Sequence, residues 1–431
     1  MKKVLIVSYF FPPINLIAAK RYGVMCRYLE KYGYKPYVIT TYYDRSQCPD
    51  VRFDLEAPIN EKQIIRIGRM NSNHGIQSIC GRLLLQVMER HKLASRTVLA
   101  SDIGWYEQVK RKINLEQFRD IDLVIGSFPS MGNLFVAKYL SEQLKCPYIA
   151  EIRDLISDYA ETEDGYKRSR LIDRVFEKRI LSGAAGIVTV TPGFRDILRK
   201  RFPNKPYKVV FNGWDEKKET RTELETDTRH EVENKYLYYA GSLYLHRLES
   251  FELLVRCIKT INLKTEDKIK FIVRSIGPRE LDMMAKKIVQ REQMQDYVSV
   301  LGAVSEDIVK KEQKYAYINV ALSTIHGEDA ALMTTIPGKV YEILNETAPV
   351  LAIVPKNSDV DKVLKYTNKG IASISEEEII DFILKDKFKY SGNRNIIYFS
   401  RRKQAERLCK FMDQVLGDIH EKNHGGFWNK A

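Results

Sequence analysis

The sequence has 431 residues, 44% of them apolar and 29% charged, enough for two or three domains that each bury a core. The six cysteines are scattered without a CxxC pair, which argues against a disulfide framework or a zinc ribbon and reads as reduced thiols of a cytoplasmic protein. The formal charge of +14 favours anionic partners; with no RNP, zinc-finger or basic-zipper pattern, nucleic acid is not the expected one.

The chain opens MKKVLIVSYFFPP. Its apolar run is short and lacks a small-residue cleavage site, so a buried first strand is expected rather than a leader. No apolar run approaches the roughly 20 residues of a membrane span. Strands are predicted at Val4–Ser8, Pro36–Thr40, Ile64–Ile67, Asp122–Gly126, Pro147–Glu151, Gly186–Val190 and Lys208–Phe211. Most are apolar on both faces, as strands covered by helices on both sides must be. Between them runs helical periodicity: Ala19, Tyr22, Cys26 and Leu29 share one helix face. Such alternation predicts a doubly wound parallel sheet.

Gly213 to Lys235 is highly charged and nearly free of large apolar residues, the composition of a solvated linker. The pattern then restarts with strands predicted at Tyr236–Ala240, Ile269–Arg274, Tyr297–Val300, Tyr317–Leu322 and Pro349–Val354, and a weaker one at Gly370–Ser373. Phe399 to Val415 reads as a basic amphipathic helix. The expected fold is therefore α/β: two tandem Rossmann-like doubly wound domains with a cleft between them. Open α/β sheets bind ligands outside the carboxyl ends of their strands, so the loops there are where chemistry is expected.

Three glycine turns follow strands of the second domain. Tyr239-Ala240-Gly241-Ser242-Leu243 leads to Arg247, a cation placed to reach a phosphate; an ordinary βα turn with a surface arginine is the alternative. Gly277 and Gly302-Ala303 occupy equivalent positions, and three such turns on one sheet suggest a nucleotide-sized pocket. The stretch TTIPGKVYEIL, Thr334 to Leu344, runs from a loop into a helix. Pro337 suits the first helical position. Gly338 and Lys339 offer N–H groups and a charge to an anion, and Glu342 can accept hydrogen bonds from a diol; a capped surface helix is the alternative. In the first domain, Ser130 and the pair Arg153-Asp154 follow strands, with a structural Arg–Asp pair as the other reading.

Two patterns mislead. His420-Glu421-Lys422-Asn423-His424 matches HExxH, but Gly425-Gly426 follow at once, so no zinc site is expected. Asp359-Val360-Asp361 follows Ser358, which reads as a helix cap rather than a metal site. No GxxxxGK[ST] or GxGxxG occurs.

The order of KVLIVSYFFPPINLIAAKRYG, IGSFPSMGNLFVAKYL, CPYIAEIRD, GIVTVTPGFRDIL, VVFNGWD, YYAGSL and IPGKVYEILNETAPVLAIV resembles the retaining glycosyltransferases of the two-Rossmann-domain type (GT-B), family 4, over nearly the whole chain. The resemblance implies a bacterial polysaccharide enzyme. Residues 1–212 would form the acceptor domain and 213–398 the nucleotide-sugar donor domain. Residues 399–431 would form a helix and tail packing back on the first. Arg247, with Gly338 and Lys339, would hold the donor diphosphate beside Gly241, Ser242 and Pro337. Glu342 would hold the ribose, and Gly277 and Ala303 would approach the base. Arg153 and Asp154 would meet the sugar, and Asn15 and Ser130 the acceptor. The family commonly places a glutamate eight residues before Glu342, where this chain has Thr334.

The partners implied are a nucleotide-diphosphate sugar and a glycan acceptor, lipid-linked, with no cofactor and no divalent metal. The basic surface also suits peripheral contact with an anionic membrane at the inner face of the cytoplasmic membrane. Gly81–Arg96, GRLLLQVMERHKLASR, is a candidate interfacial helix, with an ordinary half-buried helix as the alternative. Rival functions are a catalytically degenerate GT-B subunit acting as a nucleotide-binding scaffold, and a GT-B nucleotide-sugar 2-epimerase.

Overall fold

A computed structural model describes residues 1–43, 51–69, 103–158, 170–216, 235–386 and 389–428. The candidate interfacial helix Gly81–Arg96 and most of the charged linker lie outside them. The chain forms two compact units, Met1–Phe211 with a segment starting at Arg401, and Asn212–Ser400.

The first unit holds β1 (Lys2–Val7), α1 (Ile17–Leu29), β2 (Tyr34–Tyr42), β3 (Ile64–Arg69), α2 (Ile103–Lys112), β4 (Leu123–Phe128), α3 (Met131–Leu144), β5 (Tyr148–Ile152), α4 (Arg170–Leu181), β6 (Gly186–Thr189), α5 (Pro192–Arg201) and β7 (Tyr207–Val209). Its seven strands pair in parallel in the order β3-β2-β1-β4-β5-β6-β7. Every residue of β4 and β5 is buried, because helices cover both faces. Ala19, Tyr22, Cys26 and Leu29 do share the buried face of α1.

The helix α13 (Arg401–Trp428) returns to this unit. Leu408, Phe411 and Met412 enter the core formed by Val4, Ile6, Tyr22 and Ile125. Each such burial contributes about 1.5–3 kcal/mol. Gly186 makes room for it: a Cβ there would stand 2.7 Å from the Phe411 ring.

The second unit holds β8 (Tyr236–Ala240), α6 (Leu245–Lys264), β9 (Lys270–Arg274), α7 (Arg279–Arg291), β10 (Val298–Leu301), α8 (Glu306–Tyr315), β11 (Ile318–Leu322), α9 (Ala330–Met333), α10 (Gly338–Leu344), β12 (Val350–Ile353), α11 (Asp359–Thr367), β13 (Gly370–Ala372) and α12 (Glu376–Asp381). Its six strands are parallel, ordered β10-β9-β8-β11-β12-β13. Leu237, Phe251, Leu254, Phe271, Val320 and Leu351 form its core.

Several sequence expectations need correction. β2 is nine residues, longer than Pro36–Thr40 at both ends. β7 stops at Val209, because the Val210 and Phe211 carbonyls accept from Arg21 instead. Pro337 is the N-cap of α10, not its first helical residue. The helix expected over Phe399 to Val415 is α13, which starts at Arg401 and runs on to Trp428. The cap expected at Ser358 does form: its Oγ accepts from Asp361 N at 3.2 Å, and both Asp359 and Asp361 are buried there.

Candidate functional site

In the second unit the strand order reverses between β8 and β11. These two strands pair only through Leu237 and Tyr238, while β8 continues to Ala240 and β11 to Leu322. Their carboxyl ends therefore part, opening the crevice where doubly wound sheets take ligands. The loops after β8 and β11 border it.

The β8 loop is built around Arg247. Tyr239 Oη donates to the Ser242 carbonyl at 2.8 Å, and Arg247 Nη1 donates to the same carbonyl at 2.9 Å and to Tyr239 Oη at 3.2 Å. The guanidinium lies 4.8 Å from the Tyr244 ring centroid, and His246 stacks on that ring at 5.8 Å and 18°. Tyr239 and Tyr244 thus fix the fork of Arg247. Among the described residues no carboxylate neutralises it, and its Nε is sealed from water without a partner.

The turn itself is close-fitting. A Cβ on Gly241 would come 3.0 Å from Tyr239 Oη, and one on Gly277 would come 3.3 Å from Leu243 N. Gly277 therefore lies directly beside the Gly241-Ser242-Leu243 turn. Gly302 and Ala303 follow edge strand β10 and are exposed; they are not brought to this turn by any contact among the described residues.

From the other side comes α10. Lys339 Nζ donates to Glu342 Oε2 at 2.9 Å, both side chains more than a third exposed. A Cβ added at Gly338 would meet nothing within 4 Å. Burial raises the Tyr239 phenol pKa, and Arg247 and Lys339 both oppose the rise. Two cations, from the first turns of α6 and α10, thus act on one phenol through their charges. At seven residues α10 has little dipole to offer, so these side chains must supply the positive charge.

Thr334 turns inward. Its Oγ1 donates to the Ala330 carbonyl at 2.7 Å and the Ala331 carbonyl at 3.2 Å. Asp329 caps α9 through Ala331 N and Leu332 N, each at 3.0 Å. Burial, then the charge of Arg247, pushes the His246 pKa down to about 4 against the pull of Asp329. His326 Nε2 sits 2.6 Å from Glu249 Oε2.

In the first unit the order reverses between β1 and β4. Asn133 bridges them, accepting from Tyr9 N at 2.8 Å and donating to the Ser127 carbonyl at 2.6 Å. The buried ion pair here is Arg21–Glu151, at 2.6 Å and with both side chains at most 2% exposed, rather than Arg153–Asp154. Arg21 also donates to the Val210 and Phe211 carbonyls. Burial alone would raise the Glu151 pKa; Arg21, with Ser127, holds it below the ordinary carboxylate value. Arg153 donates to the Ala18 carbonyl at 3.1 Å, and Asp154 is exposed. Asn15 donates to Asp54 at 2.7 Å. Ser130 is buried and begins α3 without capping it.

No family model and no curated protein matches the chain by sequence. Solved structures do match. Sucrose-phosphate synthase from Thermosynechococcus elongatus covers 99% of this chain and 99% of its own at 13% identity, with a TM-score of 0.58. HepE of Anabaena, solved in complex with UDP, covers 99% and 100% at 11% identity and 0.54. A glycosyltransferase from Rickettsia africae covers 96% and 98% at 12% identity and 0.53.

The chain has the GT-B fold.

Within that GT-B fold, the second unit sets Gly277 and Arg247 beside the Gly241-Ser242 turn, and pairs Lys339 with Glu342. The supporting roles of Tyr239, Tyr244 and His246 were missed from sequence, although YYAGSLYLHR carries an aromatic on each side of the glycine turn. A cavity of about 450 Å³ lies elsewhere in this unit, by Lys356, Asp361, Lys365, Glu378, Phe382 and Tyr390. Its Lys356–Glu378 and Lys365–Asp361 pairs already satisfy one another, so it offers a ligand little free charge. Among the described residues no cluster of three His, Cys, Asp or Glu could hold a metal, and no helix is long and apolar enough to cross a membrane.

Proposed function

We propose that the protein is a retaining glycosyltransferase that moves a sugar from a nucleoside diphosphate sugar to a glycan acceptor, lipid-linked, in the assembly of a cell-surface polysaccharide. The observation that carries this reading is the fork of Arg247, held by the Ser242 carbonyl and the Tyr239 hydroxyl where β8 and β11 part, with the charge of Lys339 acting on the same phenol. Arg247 has a fixed fork and, among the described residues, no counter-ion, which suits a diphosphate. Lys339 is free to leave Glu342 for a phosphate oxygen, because an exposed pair of this kind contributes only about 0–1 kcal/mol. Its departure releases the Glu342 carboxylate to accept from a ribose diol.

The chemistry asked of these groups is electrostatic. Charge develops on the leaving diphosphate as the glycosidic bond breaks, and Arg247 and Lys339 neutralise it from positions set before the reaction. With both cations supplied by side chains, the mechanism calls for no metal. Arg153 and Asp154, with Asn15 and Ser130, would meet the sugar and the acceptor. The net positive charge would favour work at the inner face of an anionic membrane.

A second reading, a nucleotide-binding scaffold without turnover, is favoured by Thr334. Its hydroxyl is spent on its own helix, so no carboxylate or free hydroxyl stands eight residues before Glu342.

A melting screen with nucleotides and nucleotide sugars tests both readings, with UDP first because HepE was solved with it. The transferase reading expects one nucleotide diphosphate to raise the melting temperature, and transfer or slow hydrolysis of its sugar. Binding without either reaction selects the scaffold, and no stabilisation by any nucleotide overturns both.

A further inference from the structure

The strand ends of the first unit hold hydrogen-bond donors that nothing among the described residues satisfies. Arg21 and Arg153 face a single buried carboxylate, Glu151. Arg21 takes Glu151 Oε1 through Nε at 3.0 Å and Nη2 at 2.6 Å, and Ser127 Oγ donates to Oε2 at 2.6 Å. Arg153 is left with the Ala18 carbonyl at 3.1 Å and an Nε that is shut from water and unpartnered. Glu151 and the exposed Asp154 act on Arg153 through their charges, but among the described residues neither accepts a hydrogen bond from it.

Ser130 is the second unsatisfied group. It is 7% exposed, and its Oγ has no partner. It occupies the N-cap of the 14-residue α3 but makes no capping bond, so the helix start lacks its usual acceptor. The two groups leave adjacent strands. Phe128 lies opposite Ile152 in register, and Arg153 N donates to the Phe128 carbonyl at 3.3 Å. Arg153 is the first residue beyond β5, and Ser130 the second beyond β4. A surplus guanidinium, a sealed hydroxyl and an uncapped helix start share one need, an oxyanion with several acceptor oxygens.

We propose that these strand ends bind a phosphoryl group carried by the acceptor, with Arg153 and Ser130 as its donors. The word acceptor rests on the transferase reading above; the phosphoryl site itself does not. A carboxylate would satisfy the guanidinium alone, whereas a tetrahedral phosphoryl group has oxygens for the arginine, the hydroxyl and the helix start together. The group can come from a soluble sugar phosphate or from a polyprenyl phosphate, and the test separates these sources.

Calorimetric titration is done on the full chain saturated with UDP, so that the second unit's cations are occupied. Inorganic phosphate, glucose 6-phosphate and glucose are the probes. The two phosphates should bind and glucose should not. Arg153→Gln should weaken phosphate binding by about tenfold or more, as expected for a lost charge-assisted bond, and Ser130→Ala by a smaller factor. If Arg153→Gln loses its UDP-dependent melting shift, Ser130→Ala and Arg153→Lys carry the comparison. Phosphate binding that is equal in wild type and all variants, or no stronger than that of glucose, overturns the proposal. Flotation with phosphatidylcholine vesicles, with and without polyprenyl phosphate, assigns the source. Arg153-dependent recruitment marks the lipid, and Arg153-dependent glucose 6-phosphate binding without recruitment marks a soluble acceptor. If UDP itself fails to bind, the nucleotide reading falls, and the variants are compared without it.

Discussion

Lys339 and Glu342 hold each other at 2.9 Å across one turn of α10. The two side chains proposed to grip a diphosphate and a ribose thus satisfy one another until a ligand separates them. Paired in this way, neither side chain stands as a bare charge on α10, and opening the pair is cheap because both partners are wetted.

Glu342→Ala should change stability by about 1 kcal/mol or less, since an exposed pair is lost. Its effect on nucleotide affinity should be larger, about 10- to 100-fold for a charged hydrogen bond. A ribose role predicts more than a general loss. Wild type should prefer UDP to its 2′-deoxy form, and Glu342→Ala should bind the two alike. Calorimetry on the four combinations checks this.

Arg247 depends on its aromatic neighbours. Tyr244→Leu removes the ring 4.8 Å from the guanidinium and should weaken diphosphate binding severalfold, on the order of 0.5–2 kcal/mol. Arg247→Lys should not rescue Arg247→Ala, because an ammonium cannot use the Ser242 carbonyl, the Tyr239 hydroxyl and the Tyr244 face together. Dissociation constants for the three variants test the claim.

The buried pair of the first unit predicts an asymmetry. Glu151→Leu removes the buried carboxylate that Arg21 binds and whose charge acts on Arg153, whereas Arg21→Met leaves Glu151 with the charge of Arg153 and the Ser127 hydroxyl. Both variants should be destabilised, Glu151→Leu the more, by about 3–5 kcal/mol. Denaturant melts of the two variants give the order directly.

His246 should make stability pH-dependent. Its folded pKa, about 4, lies below its unfolded value near 6.5, so the unfolded chain binds the extra proton between these limits. The contribution is fully present above pH 6.5 and is lost as pH falls towards 4, by up to about 3 kcal/mol. His246→Phe keeps a ring on Tyr244 without the titration. Its melting temperature should fall less steeply than that of wild type over this range.

The parallel sheets were legible because VLIVS, DLVIG and PVLAIV are apolar on both faces, which only helix-covered strands require. The turn at Gly241 and the helix start at Gly338 were legible because they are local patterns. Arg21–Glu151 was not, since its partners lie 130 residues apart and neither carries a local signature. The stacking of His246 and Arg247 on Tyr244 depends on rotamers that sequence spacing does not fix. The continuation of α13 beyond Val415 was not legible, since it passes through Gly425 and Gly426, which cost a helix only about 1 kcal/mol each, a cost its long packed portion outweighs.

The central claim is that Arg247 and Lys339 make the second unit a nucleoside diphosphate site. Titration of wild type and Arg247→Ala with UDP and UMP tests it most directly. The account predicts that wild type binds UDP about tenfold or more tightly than UMP, and that Arg247→Ala erases this difference while still melting cooperatively. Equal affinity of wild type for UDP and UMP, or an unchanged preference in Arg247→Ala, would contradict it.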